Sequence, residues 1–253
     1  TVAVAATGST ILTGKDASTV SITGDSGISA TTVTTGAGND TVTIISTNKN
    51  TVATEPLSPH PSATTYRGTG YAVSGGIINV GNGDNSVKIN TQTGVGMTGN
   101  AKLIAGTGND SIEVGALARY GWAVSGGSIA AGEGNNSIKL GGLVGLGSIV
   151  NASGKVTTAS SITTGKGNDL IEIIGPSGEG LTTQMGVGMY YSSIKDTGGD
   201  NTITINYDGG SGAVTSRTGR LEAARPPKNE LARAMPSVGS MSPTSVSTAL
   251  LGA

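Results

Sequence analysis

Six times along the chain, a glycine turn carrying Asn or Asp opens a short run of alternating apolar residues. That rhythm leaves few folds open. The copies are Gly36-Ala-Gly-Asn-Asp40, Gly81-Asn-Gly-Asp-Asn85, Gly106-Thr-Gly-Asn-Asp110, Gly132-Glu-Gly-Asn-Asn136 and Gly165-Lys-Gly-Asn-Asp169. A sixth, Gly198-Gly-Asp-Asn201, reads as one residue short, and Gly14 to Ile22 reads as a degenerate first copy with Asp16 as its only acid. The six starts lie 45, 25, 26, 33 and 33 residues apart. A unit of about 25 residues cannot bury its own apolar face, whereas stacked copies share one core. The expected fold is therefore all-β, a parallel β-solenoid of the β-roll or β-helix kind with one such turn per coil. Roughly seven coils at ~4.8 Å each give a rod body about 30–35 Å long.

A second marker precedes the turns. Gly70-Tyr-Ala-Val73, Gly94-Val-Gly-Met97, Gly121-Trp-Ala-Val124 and Gly186-Val-Gly-Met189 share the form Gly-apolar-small-apolar, and Gly145-Leu-Gly-Ser148 is a weaker version. In register, Tyr71, Val95, Trp122, Leu146 and Val187 form one apolar column. Tyr71 and Trp122 then read as stacked within that column, with a sugar-binding or assembly stripe as the alternative. Residues 46–69 contain Pro56, Pro59, Pro61 and the single histidine, His60, and read as an insertion loop; a shorter insertion is expected around Asn151–Thr158. The solenoid is expected over 1–207. Residues 208–253 form a non-repeat tail that serves as an assembly arm or an export signal.

Composition supports this reading. Of 253 residues 43 are Gly, none is Cys or Phe, and one is Trp. Glycine ordinarily makes up about 7% of a protein, and repeated turns between short strands account for the excess. The net charge of −1 carries no electrostatic footprint for nucleic acid. Charge is uneven, since residues 217–253 hold five Arg or Lys against two Glu, leaving −4 for the rest. No run approaches the ~18–20 apolar residues of a membrane span. A chain without cysteine is compatible with export, and the start at Thr1 reads as a processed or truncated end.

The turn resembles the glycine- and aspartate-rich nonapeptide of RTX (hemolysin-type) repeat proteins, as found in secreted surface-layer and adhesin proteins. That resemblance implies Ca²⁺ held by turn carbonyls and carboxylates. The positions it marks are Gly36, Gly38, Asn39, Asp40, Gly81, Gly83, Asp84, Asn85, Gly106, Gly108, Asn109 and Asp110. It marks further Gly132, Gly134, Asn136, Gly165, Gly167, Asn168, Asp169, Gly198, Asp200 and Asn201. A hard cation wants six to eight oxygens, and glycine permits a turn whose carbonyls converge. Two departures stand out. The copies are not in tandem, and the final position alternates as Asp40, Asn85, Asp110, Asn136, Asp169, Asn201. Such a column also suits a metal-free ladder of stacked Asn and Asp side chains. The small, hydroxylated end Ser245–Ala253 resembles a type I secretion signal of the same family.

The functional expectation is an extracellular structural subunit on a bacterial cell surface. It would be a calcium-supported solenoid whose partners are copies of itself and surface polysaccharide, assembling into a layer, sheath or filament. Two alternatives carry their own requirements. An ice-binding or adhesin module needs flat, regular Thr arrays, and a polysaccharide-acting β-helix enzyme needs convergent acids in a groove. No catalytic residue is expected. Gly24-Asp-Ser-Gly27 resembles the nucleophile turn of chymotrypsin-like serine proteases, but the only histidine, His60, sits in the proline-rich loop and the barrel domains are missing, so it reads as a turn. No helix is expected after Gly94-Val-Gly-Met-Thr-Gly99 to support a dinucleotide reading. Glu113 and Lys139 are expected to pair across adjacent coils.

Overall fold

The computed structural model describes residues 4–48, 70–116, 121–151, 155–175 and 187–206, with the backbone of three further strands, Thr215–Arg217, Arg220–Glu222 and Ser247–Leu251. All named elements are strands. No helix among the described residues is long and apolar enough to cross a membrane.

Seven coils stack, each giving one strand to each of three parallel sheets. The first sheet runs Val4–Thr7, Ser26–Ser29, Tyr71–Ser74, Val95–Thr98, Trp122–Ser125, Val144–Gly147 and Val187–Tyr190. The second contains Thr10–Leu12, Thr32–Thr34, Ile77–Gly81, Lys102–Ala105, Ser128–Gly132, Ser161–Thr164 and Ser193–Lys195. The third contains Thr19–Gly24, Thr41–Ser46, Ser86–Thr91, Ser111–Ala116, Ser137–Gly141, Leu170–Ile174 and Asn201–Asn206. The expected parallel solenoid is the observed fold.

Period-2 alternation in the third sheet sends Val42 and Ile44, Val87 and Ile89, Ile112 and Val114, Ile138 and Leu140, and Ile171 and Ile173 into the core. The second sheet contributes the column Val33, Ile78, Leu103, Ile129, Ile162 and Ile194, with Val80, Ala105 and Ala131 also buried in the core. Each such side chain stabilises the fold by roughly 1.5–3 kcal/mol. The first sheet departs from alternation by burying two consecutive residues, one small and one large: Ala72 and Val73, Gly96 and Met97, Ala123 and Val124. The small residue is required by space. A Cβ on Gly96 would lie 2.8 Å from Val114 Cγ1 and 2.6 Å from the Ala123 carbonyl oxygen.

That rule corrects the register of the apolar column. Val144, not Leu146, aligns with Trp122 and Val187. Leu146 is the inward large residue, aligned with Val124 and Met189 and fully buried. Gly145 is thus not a leading glycine but the small residue in the middle, and Leu143 stands opposite Gly121. The Asn151–Thr158 insertion is an antiparallel hairpin of Ile149–Val150 and Val156–Thr158. Trp122 packs with Val144, Tyr190 and Val156 of that hairpin, and it is only 4% exposed. Trp122 is therefore an internal stacking residue with no face for a sugar.

Two boundaries also shift. Ser46 completes a third-sheet strand, and its hydroxyl donates to the Asp25 carbonyl at 2.6 Å, so the expected 46–69 loop begins later. Residues 49–69, with the prolines and His60, lie outside the described residues. The tail returns to the rod: Ser247–Leu251 pairs antiparallel with Asn201–Asn206, and Arg220–Glu222 pairs antiparallel with Ser193–Lys195. Two of the three sheets are thus covered at that end by strands of the same chain. The remaining tail residues lie outside the described set.

Candidate functional site

Every Gly-x-Gly-Asn/Asp motif forms the corner between the second and third sheets. Backbone N–H groups at a corner point along the rod, away from any sheet ladder, and buried ones need acceptors. Two columns of side chains supply them. In the inner column each side-chain Oδ1 accepts the N–H of the equivalent residue one coil earlier. Asp40 accepts from Ser18 at 2.7 Å, Asn85 from Asp40 at 3.0 Å and Asp110 from Asn85 at 3.0 Å. Asn136 then accepts from Asp110 at 3.0 Å, Asp169 from Asn136 at 2.8 Å and Asn201 from Asp169 at 2.6 Å.

The outer column runs the opposite way. Asn39 Oδ1 accepts from Asp84 N–H at 2.9 Å, Asp84 from Asn109 at 2.7 Å and Asn109 from Asn135 at 2.9 Å. Asn135 accepts from Asn168 at 2.7 Å and Asn168 from Asp200 at 2.9 Å. Inner residues are buried and outer residues exposed. Each turn is therefore fastened to both neighbours by consecutive residues whose bonds point in opposite directions.

The second glycine of the turn is dictated twice over. Gly83, Gly108, Gly134 and Gly167 have φ between +116° and +140°, a region that disfavours a side chain. A Cβ on any of them would stand 2.1–2.2 Å from the carbonyl oxygen of the glycine one coil earlier. The same test corrects the sixth copy. Gly199, with φ +107° and a notional Cβ 1.8 Å from the Gly167 carbonyl oxygen, is its second glycine. Gly198 sits at the variable position opposite Lys166, and Thr197 takes the first-glycine place. The copy is full length.

The inner column treats Asn and Asp differently at their other terminal atom. Asn85 Nδ2 donates to the Gly83 carbonyl at 2.8 Å, Asn136 Nδ2 to Gly134 at 3.0 Å and Asn201 Nδ2 to Gly199 at 3.1 Å. Each Asn thus braces its own turn. Asp40, Asp110 and Asp169 carry an oxygen, Oδ2, in place of that amide nitrogen, and all three Oδ2 atoms are buried without a hydrogen-bond partner. Burial raises the Asp110 carboxyl above its ordinary range, opposed by the backbone and side-chain N–H of Asn85 and reinforced by Asp84. Burial also raises Asp169, opposed by Asn136 N–H, the Thr164 hydroxyl and the Asn136 side chain and reinforced by Asp196.

These residues do not fit a calcium clasp. At each acidic turn one carboxylate oxygen already accepts a backbone N–H from the preceding coil. The flanking turns hold Asn amides, N–H donors, where a cation would need oxygens, and those amides already hold the Gly83 and Gly134 carbonyls. One free carboxylate oxygen and its own turn's carbonyls fall short of six to eight ligands. Among the described residues no three acidic, imidazole or thiol side chains converge. The positions marked by the resemblance, from Gly36 to Asn201, therefore form a hydrogen-bonded corner.

Other expectations resolve in register. Glu113 stands between Lys88 and Lys139, and its ion pair is with Lys88 at 3.3 Å, with Asn90 Nδ2 also donating to it at 3.2 Å. Both charged partners are about half exposed, so the pair contributes at most a fraction of a kcal/mol. The outward row Thr32–Ile77–Lys102–Ser128 breaks any flat Thr array. Ser26 of the Gly24–Gly27 turn is fully buried, with no access for a substrate. Two contributors carried no motif. Ser18 begins the inner column through its backbone N–H, and Asp196 closes it by accepting Asn201 Nδ2 at 2.6 Å and the Thr164 hydroxyl at 3.0 Å. Comparison with protein-family models, with curated proteins and with solved structures finds no match for this chain.

Proposed function

We propose that the protein is an extracellular structural subunit, a rod that assembles with copies of itself into a layer, sheath or filament. The observation that carries this reading is the continuous double ladder. The polar side chains of the repeat are committed to fastening coil to coil, and three acids among them, Asp40, Asp110 and Asp169, are enclosed in the corner. A scaffold with that investment and no convergent acids among its described residues suits load-bearing better than turnover.

The two ends supply the direction of assembly. The tail strands cover two sheets at one end, while Val4–Thr7, Thr10–Leu12 and Thr19–Gly24 each have one described neighbour at the other. Strand edges that meet a copy of the chain make head-to-tail contacts, and Leu12 at that end is 71% exposed. Sedimentation velocity over a wide concentration range tests the reading, with electron microscopy of the heavy fractions. Concentration-dependent growth that Leu12→Lys reduces, at unchanged circular dichroism, is the expected outcome. A chain that stays monomeric throughout would refute it.

A further inference from the structure

The three buried carboxyls occupy places that the alternate turns give to amides. In both cases Oδ1 accepts the N–H of the preceding coil. The remaining terminal atom is Nδ2 in the Asn turns and Oδ2 in the Asp turns. In the Asn turns it is a donor, 2.8–3.1 Å from the carbonyl of the second glycine. In the Asp turns Oδ2 takes the place of that donor and is buried without a hydrogen-bond partner; ionised, it offers the glycine carbonyl no proton. A neutral carboxylic acid reproduces the amide, because its hydroxyl is a donor.

We propose that Asp110 and Asp169 fold as neutral carboxylic acids, each donating an Oδ2 proton to the carbonyl of the second glycine of its own turn, Gly108 or Gly167, and that their ionisation loosens the corner. Both have an Asn turn on either side, unlike Asp40, whose preceding neighbour is Ser18.

The surroundings agree. Facing Asp110 are the amides of Asn85 and Asn136, the acid Asp84 from the preceding turn and the exposed Glu133 from the following one. Facing Asp169 are Asn136, Asn201, Thr164 and Asp196, with exposed Lys166 in its own turn and exposed Asp200 in the next. The charges that act on the two carboxyls are Asp84 and Asp196, both acids, and both disfavour ionisation. Burial is the larger cause in each case.

The direction of the pH effect follows. Below the ordinary aspartate value of 3.8 both carboxyls are neutral in the folded and the unfolded chain alike. As pH rises, the unfolded chain ionises first, and the folded corner resists. The contribution to stability is thus present in acid and lost as pH climbs through the raised folded value.

The test compares wild type with Asp110→Asn, Asp169→Asn and the double variant in thermal unfolding across the pH range, in buffer with EDTA and again with added Ca²⁺. Each Asn should add the missing brace. Near neutrality each variant should melt roughly 2–4 °C above wild type, with the gap closing below 3.8. Variants equal to or less stable than wild type near neutrality would overturn the proposal, as would a gap independent of pH. Calcium that stabilises wild type and not the variants would overturn it in favour of a cation. Should a variant fail to fold, infrared spectroscopy of wild type decides. The carbonyl stretch of a neutral carboxylic acid should persist to a pH at which free aspartates have lost it, and its absence there refutes the assignment.

Discussion

Removing one rung of the inner column should cost far more than removing one rung of the outer column a single residue away. In Asn136→Ala, the Asp110 N–H loses its acceptor at 3.0 Å, and the Gly134 carbonyl loses its donor at 3.0 Å. Both groups belong to a buried corner, since Asn136 is 1% exposed. A buried donor left without a partner costs about 1–3 kcal/mol and a lost hydrogen bond about 1 kcal/mol more, so the substitution should destabilise by about 2–4 kcal/mol. In Asn135→Ala, the Asn168 N–H loses its acceptor at 2.7 Å, but this column is exposed and water replaces the side chain. The expected cost is at most about 1 kcal/mol. Stacked coils can open piecemeal, so a global midpoint is a blunt instrument. Native-state hydrogen exchange reads the effect where it arises. Asn136→Ala should strip protection from the Asp110 amide and its neighbours in the corner, whereas Asn135→Ala should expose chiefly the Asn168 amide. Equal losses of stability and of protection in the two variants would refute the division into a buried and a solvated ladder.

Gly134→Ala should be more harmful than an ordinary glycine replacement. It combines φ +117° with a Cβ 2.1 Å from the Gly108 carbonyl oxygen, so coils must separate locally, and a loss of at least about 3 kcal/mol is expected in chemical denaturation. Chelation should leave the melting temperature and the far-ultraviolet spectrum unchanged, because every coil-to-coil rung of the inner column is made without a cation; a drop in melting temperature with EDTA that Ca²⁺ restores would show that the corner holds metal after all.

The architecture was legible because one signal recurred with the right spacing. Six turns in register require stacking, and the alternation after each turn, such as Val87 and Ile89 or Ile138 and Leu140, identifies the inward face. The first sheet was harder to read, because its strands bury adjacent residues instead of alternate ones. A pattern of apolar, small, apolar has no fixed phase when a glycine can be either its lead or its middle, and from sequence Gly145 fits both. The sixth turn is hard to read because it lacks its leading marker. Thr197 stands where the other turns have their first glycine, although a Cβ at Gly81, Gly132 or Gly165 would lie 1.7–2.4 Å from the glycine carbonyl oxygen one coil earlier, while Gly199 keeps the second. The partners of Glu113 could not be chosen from sequence, since Lys88 and Lys139 are equally spaced on either side of it. Ser18 carried no signal because its contribution is a backbone N–H, which any residue but proline offers.

What the turn residues do was the least legible part, because carbonyl-lined glycine turns with carboxylates serve a cation and a hydrogen-bond ladder equally well on paper. The alternation of Asp and Asn is the feature that separates the two. A calcium column gains from every added carboxylate, and so favours Asp at each turn. A stacked ladder has the opposite preference, since consecutive carboxylates would stand ~4.8 Å apart along the rod. At an effective dielectric of 20, two ionised groups at that spacing repel by about 3.5 kcal/mol, and at twice the spacing by about 1.7 kcal/mol. Interleaving Asn85, Asn136 and Asn201 among Asp40, Asp110 and Asp169 keeps every acid two coils from the next. It also gives each interior acid amide neighbours that donate to it and carry no charge. The order of the column is the one that a stack of buried carboxyls needs if ionisation is to loosen the corner without forcing the coils apart, and that pattern argues for reading these turns as the fastening of the rod.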